Sequence, residues 1–290
     1  MVRLRANFHL APPLPPADTK AIPSSPAETI ASRSPVRVLL QWTAMAGGFL
    51  YWGVLGLLVT VICGSLSFVL PRGKGERFAR TVHHLIFKYF VSYLRLTGLV
   101  RVDLSALDAL GKIPHPIIVA PNHASLWDAV FIIARLPQAV CVMKKEILRN
   151  PFLGGGSRLS GYIPNGTTTR MIRDAADTLT RGGQLLLFPE GTRTHATARW
   201  INPLKGGCAL IAVRAGVPIH PVFIRTSSRF LQKGWPLGKP PVFPIHLSLD
   251  LGQPIVPLEG ESALDLTRRL QAAYDQELSR PHPLRRQIDS

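Results

Sequence analysis

Residues 116–131 read PIIVAPNHASLWDAVF, and the fold follows from how they are parsed. Pro-Ile-Ile-Val-Ala is an uncharged, β-branched run too short for a helix, as expected of a buried strand. Pro121 breaks it, and a helix is expected from about Ser125 to Leu136. The same alternation continues outward. Strands are expected at VRVDL (100–104), AVCVM (139–143), QLLLF (184–188), VPIHPVFI (217–224) and FPIHLSLDL (243–251). Helices are expected over 168–181, after NPLKGG, and from Ala263 to Ser279, where Leu266, Leu270, Tyr274 and Leu278 share one face. Strands alternating with helices predict an α/β fold over residues 98–280, a mixed sheet flanked by helices.

Upstream the chemistry changes. Residues 38–71, VLLQWTAMAGGFLYWGVLGLLVTVICGSLSFVLP, carry no charged side chain. A bilayer core of about 30 Å needs roughly 20 apolar residues in a helix, so a membrane-embedded segment is expected. Gly47, Gly48, Gly53, Gly56 and Gly64 leave two forms open, one span or a re-entrant hairpin. Residues 76–97 follow as a basic, aromatic amphipathic helix, suited either to the headgroup layer or to packing on the domain behind it. Residues 37–97 together make a membrane-anchoring helical segment. Arg72, Lys74, Arg77, Arg80 and Lys88 outweigh Arg33 and Arg37, which puts the following domain on the cytoplasmic face of the inner membrane. His83 and His84 read as surface or interface residues rather than metal ligands. The Pro/Ala-rich residues 1–36 and the last residues, 281–290, are expected to be disordered tails.

The 290 residues carry 34 Lys and Arg against 17 Asp and Glu, a net charge of +17. That excess calls for an anionic partner. Fourteen Lys and Arg face only four acids between Cys141 and Trp235. The three cysteines are isolated and form no CxxC pair, which excludes a disulfide scaffold and a structural zinc site.

Two strand ends carry the candidate chemistry. His123 and Asp128 would diverge by about 140° on a continuous helix. Across a loop-to-helix junction they can converge, the carboxylate holding Nδ1–H and leaving Nε2 as a base. In LLLFPEGTRT (185–194) an apolar strand runs into Glu190-Gly191-Thr192-Arg193. Glycine there permits close backbone approach, Thr192 offers a hydroxyl, and Arg193 offers a fork for phosphate oxygens. Glu190 can hold that arginine or orient a substrate hydroxyl. VPIHPV (217–222) either walls an acyl pocket or is plain core. Backbone N–H groups around the Pro121-to-Ser125 turn are the expected oxyanion donors.

NHxxxxD, FPEGTR and VPIxPV in this order resemble the glycerolipid acyltransferase family, which includes the bacterial lysophosphatidic acid acyltransferases. The resemblance covers roughly residues 80–225. It implies transfer of a fatty acyl group from acyl-CoA or acyl carrier protein to the free hydroxyl of a lysophospholipid, foremost 1-acylglycerol-3-phosphate. It implies His123 as base, Asp128 as its orienting partner, and Glu190, Gly191, Thr192 and Arg193 around the acceptor headgroup. Lys205 resembles the basic residue that follows the third block in relatives. The chain departs from the family in SGYIPNGTTTR, where Asn165-Gly166 stand in place of Asp-Arg, and Arg170 or Arg173 is the available substitute. This departure keeps a non-phosphate acceptor such as a lyso-ornithine lipid open. The sequence holds no Walker A loop, dinucleotide fingerprint or HExxH, so no metal or other cofactor is expected. A thioesterase with water as acceptor, and a membrane-tethered module that binds polyanions without catalysis, are the remaining alternatives. Nucleic acid is not an expected partner, because no recognised nucleic-acid motif is present.

Overall fold

A computed structural model describes residues 34–165, 168–195, 197–235 and 241–284. The chain opens on α1 (Pro35–Leu66), with Pro35 at the first helical turn where its missing N–H costs nothing. At about 1.5 Å per residue its 32 residues extend about 48 Å. It is one uninterrupted helix, so the hairpin within this stretch does not form. Gly47 and Gly56 serve packing instead of bending. A Cβ on Gly47 would lie 2.7 Å from the Tyr93 hydroxyl, and one on Gly56 would lie 2.7 Å from the Phe152 carbonyl. The chain reverses after Leu66 and returns as α2 (Arg72–Leu96). Two phenols staple the pair: Tyr93 donates to Ala44 O at 2.6 Å and Tyr51 donates to Ile86 O at 2.7 Å.

Seven strands follow among the described residues: β1 (Val100–Val102), β2 (Ile117–Pro121), β3 (Val140–Met143), β4 (Ile163–Pro164), β5 (Gln184–Leu186), β6 (Ile219–Thr226) and β7 (Ile245–Leu251). Their order in the sheet is β1-β7-β6-β2-β5-β3-β4, parallel throughout except for the β6–β7 pair. The mixed α/β sheet expected from the sequence is therefore present. β2 sits at the centre, and all five of its residues are buried. That is why it reads as an unbroken apolar run rather than an alternation.

Helices α3 (Asp108–Gly111), α4 (Asp128–Ile133), α5 (Lys145–Arg149), α6 (Gly154–Leu159), α7 (Thr168–Thr180), α8 (Gly207–Ala215) and α9 (Ala263–Ser279) complete the chain. α7, α8 and α9 pack side by side against the sheet, while α2 packs on α4. α9 is started by Ser262, whose hydroxyl accepts the Asp265 N–H, and its Leu266, Leu270, Tyr274 and Leu278 are buried as their spacing predicts. The Tyr274 hydroxyl donates to the Ala120 carbonyl of β2, fixing α9 beneath the central strand.

Three local features depart from the sequence reading. α4 begins at Asp128 rather than Ser125 and ends at Ile133, because residues 122–127 form a turn. The three glycines of α6 make a poor helix by propensity. They fold there because a Cβ at Gly155 would run into the Thr60 backbone of α1, and one at Gly156 would meet Val59 and His83 at 2.8 Å. At the other end Leu284 is buried, so the chain stays packed that far. Residues 285–290, and residues 1–33 of the expected N-terminal tail, lie outside the described residues.

Candidate active site

Strand register assembles the site. β2 and β5 are parallel neighbours, with Val119 opposite Leu186. Four residues beyond each partner stand His123 and Glu190, so both leave the sheet at its carboxyl edge, where α/β folds bind ligands. The His123 N–H donates to Glu190 Oε1 at 2.8 Å, and the His123 carbonyl accepts the Thr194 N–H at 2.7 Å. Its backbone is thus held on both sides. The imidazole stacks on Phe188 with centroids 4.0 Å apart, and Nδ1 lies 3.0 Å from Asp128 Oδ2. The same carboxylate oxygen accepts the Ser125 N–H at 2.7 Å. An acceptor at Nδ1 fixes the tautomer with the proton there and leaves the Nε2 lone pair free. Asp128 has no exposure. Burial raises its carboxyl above the ordinary carboxylate range, against the pull of His123 and the Ser125 N–H.

Glu190 is 1% exposed and fully engaged. Besides the His123 N–H, its oxygens receive the Thr194 hydroxyl at 2.9 Å and the Asn202 N–H at 2.9 Å. Burial raises this carboxyl too, opposed by those donors. Neither sequence option for Glu190 is realised in this arrangement: it makes no ion pair with Arg193, and its oxygens are given to the protein. Glu190 is a strut between the loops that follow β2 and β5. Arg193 instead turns its Nη1 to the carbonyls of Leu231 at 2.6 Å and Gln232 at 3.3 Å. This anchors residues 227–235, where Leu231 adopts a left-handed φ of 62°. Gly191 has φ 65°, and a Cβ there would lie 2.9 Å from Lys205 Nζ, so the lysine lies across the glycine. Thr192 stands half-buried at the turn.

Several functional neighbours escaped the sequence reading. Thr194, rather than Thr192, supplies the hydroxyl to Glu190. Asn202 closes the 194–202 loop through its side chain, accepting the His195 N–H and donating to Arg193 O. Asn122 extends the β2–β6 pairing by exchanging side-chain bonds with Ile224 at 2.7 and 2.9 Å. Only the strand-flanking position of Asn122 hinted at this, and Thr194 and Asn202 gave no local signal. The expected oxyanion donors are mostly spent. The N–H groups of Asn122, His123 and Ser125 go to Val222 O, Glu190 and Asp128. Among the described residues the Ala124 N–H alone in this turn is left over, and Ala124 lines a cavity of about 200 Å³.

Arg170 and Arg173 do not reach the site. Both are exposed on α7 and face Asp174, at 3.6 and 3.9 Å. The VPIHPV strand is core: its residues lie in or beside β6, and Ile219 and Val222 are fully buried. His83 and His84 are interface groups, bonded to Ala79 O and Ser160 Oγ and to Ile133 O respectively. Burial pushes the Cys141 and Cys208 thiols up to about 12, which denies them a nucleophilic thiolate near neutrality. Among the described residues no three His, Cys, Asp or Glu side chains gather closely enough to hold a metal ion. An aromatic row joins the site to the N-terminal helices. Trp52 meets Phe90 at 5.2 Å, Phe90 meets Trp127 at 5.7 Å, and Trp127, next to Asp128, meets Phe230 at 5.5 Å.

Residues 102–225 match the acyltransferase family. The chain is 24% identical over 262 residues to the 1-acyl-sn-glycerol-3-phosphate acyltransferase of Pseudomonas aeruginosa, covering 87% of this chain and 94% of that protein. It is 29% identical over 207 residues to the Saccharomyces cerevisiae enzyme of the same name, covering 68% of this chain and 62% of that one. It thus spans nearly all of the bacterial relative but less than two thirds of the yeast one. The crystal structure of the 1-acyl-sn-glycerophosphate acyltransferase PlsC from Thermotoga maritima has the same fold, with a TM-score of 0.58 at 22% identity, covering 85% of this chain and 97% of that one.

Proposed function

We propose that this chain, whose residues 102–225 match the acyltransferase family, moves a fatty acyl group from acyl-CoA or acyl carrier protein to the free hydroxyl of a lysophospholipid, foremost 1-acylglycerol-3-phosphate. The observation that carries this reading is the 3.0 Å contact of His123 Nδ1 with buried Asp128, on the turn after the central strand. An alcohol is a poor nucleophile until its proton is removed. Nε2 of His123 takes that proton as the hydroxyl oxygen attacks the thioester carbonyl. The tetrahedral oxyanion collapses, the C–S bond breaks, and the imidazolium returns the proton to the leaving sulfur. Asp128 keeps the proton on Nδ1 in the resting state and stabilises the imidazolium between the two transfers. The Ala124 N–H is the donor left for the oxyanion. Both co-substrates supply all the atoms of the reaction, so the scheme runs without a cofactor.

Among the described residues one helix, α1, is long and apolar enough to cross a membrane. It leaves Leu39, Leu50, Val54 and Val61 more than half exposed, a surface suited to lipid. We place it in the inner membrane, with the basic start of α2 and the catalytic domain on the cytoplasmic side. The test is acyl transfer by detergent-purified full-length protein to a panel of lysolipids, with acyl-CoA and acyl carrier protein as donors. Acylated lipid is the expected product, and His123→Ala should lower kcat by about 10²–10⁴-fold. Free fatty acid without acylated lipid, or no transfer from either donor, would overturn the reading.

A further inference from the structure

The arginine missing from SGYIPNGTTTR is not replaced by Arg170 or Arg173, and Arg193 commits its Nη1 to two loop carbonyls. A strongly basic cavity lies beside the His123 turn. It occupies about 200 Å³ at the carboxyl ends of β2 and β6. Asn122 and Ala124, the two neighbours of His123, form one wall together with Thr194. Arg199, Arg225, Arg229 and His195 also line it, and among the described residues no Asp or Glu does. The three arginines are not equivalent. Arg225 is neutralised, bonded to Asp250 at 2.7 Å and Glu277 at 3.0 Å. Arg199 and Arg229 have no carboxylate partner among the described residues, and Arg199 lies 5.5 Å over the Trp200 ring. Lys233 adds another cation at the rim, its Nζ 3.2 Å from His195 Nε2.

We infer that this cavity is a phosphate subsite, in which Arg199 and Arg229 grip the phosphate of a substrate whose reacting group lies at His123. Guanidinium forks suit phosphate oxygens, and unneutralised cations in a concave wall concentrate that attraction. The volume fits a headgroup and not a lipid, since pockets that bury drug-sized ligands take about 300–1,000 Å³. The phosphate belongs either to the acceptor headgroup or to a phosphate of CoA. The inference rests on the acyl-transfer reading and supplies the guanidinium that the sequence lacks.

The test uses full-length protein in detergent, with Arg199→Gln, Arg229→Gln and the double variant. Lys112→Gln, ahead of β2 at the opposite end of the sheet, is the charge-loss control. Glycerol 3-phosphate and CoA are titrated separately onto each protein with no acyl group present, and KM is then measured for donor and acceptor. Each single variant should weaken binding by about tenfold or more, as loss of a charge-assisted bond does. Weakened glycerol 3-phosphate binding with a raised acceptor KM assigns the subsite to the headgroup. Weakened CoA binding with a raised donor KM assigns it to the donor. If the double variant binds both probes within twofold of the parent, the subsite is refuted even where acyl transfer proceeds. Loss of probe binding in the double variant, with no acyl transfer by the parent, would keep the phosphate subsite and refute the transferase reading.

Discussion

Asp128→Asn isolates the charge of the dyad while keeping its shape. In the parent, Oδ2 accepts both the His123 Nδ1 proton and the Ser125 N–H, and Oδ1 is buried without a partner. An asparagine has two orientations there. With its oxygen toward His123, both bonds survive but the amide NH2 fills the unpartnered place, at a cost of about 1–3 kcal/mol in stability. With its nitrogen toward His123, it confronts the Ser125 N–H as donor against donor and forces the proton from Nδ1 to Nε2, which removes the base. In either orientation the transient imidazolium loses its counter-charge. Charges about 4 Å apart at an effective dielectric of about 20 attract by about 4 kcal/mol, equivalent to about three decades in rate. The expected result is a kcat about 10³-fold below the parent at saturating donor and acceptor, with an unfolding midpoint in detergent within a few degrees of the parent. A folded variant with kcat within tenfold of the parent would refute general-base catalysis by this pair.

Glu190→Gln removes one of two oxygens that together receive the His123 N–H, the Thr194 hydroxyl and the Asn202 N–H. It should cost about 1–3 kcal/mol in denaturant unfolding and lower kcat more than it raises the acceptor KM, because it displaces His123 rather than substrate. A change in KM alone would contradict a strut. Gly155→Val forces a side chain into the Thr60 backbone, whereas a Cβ at Gly53 meets nothing within 4 Å. The first should destabilise by about 1–3 kcal/mol and change the fluorescence of Trp52, and Gly53→Ala should do neither. Burial lowers His83 and His220 from 6.5 to about 4, so the unfolded chain binds their protons more readily between those values. Their contribution to stability is complete above pH 6.5 and is lost as the pH falls toward 4. Unfolding midpoints measured across that window should fall on acidification, less steeply in His83→Gln.

What the sequence disclosed was local. The central strand was legible because burial on both faces removes every polar residue from it, and α9 because one face of a regular helix is buried against the sheet. The His123–Asp128 pair was legible because five residues span one turn and one helix start, so no distant part of the chain is needed to join them. Where the contacts are distant, reading failed. The glycines of α1 left a span and a hairpin both open, because an isolated sequence cannot show that Tyr93 will press against Gly47 and Phe152 against Gly56. The short α6 carries no helical signal, since its three glycines answer to the surface of α1 rather than to their own propensity.

Glu190 shows where the boundary falls. From FPEGTR alone a carboxylate three residues before an arginine suggests an ion pair or a substrate ligand. Its real partners come from His123, 67 residues earlier, and from Asn202, 12 residues later. Only the parallel register of β2 and β5, with Val119 facing Leu186, brings them together. That register also explains why two short motifs separated by many residues behave as one. Each places its residue four positions beyond the Val119–Leu186 pair, and a shift of either strand by one residue would separate His123 from its strut. The position of the base is thus set by the sheet, and the buried carboxylate of Glu190 transmits that setting to the loop that carries Arg193.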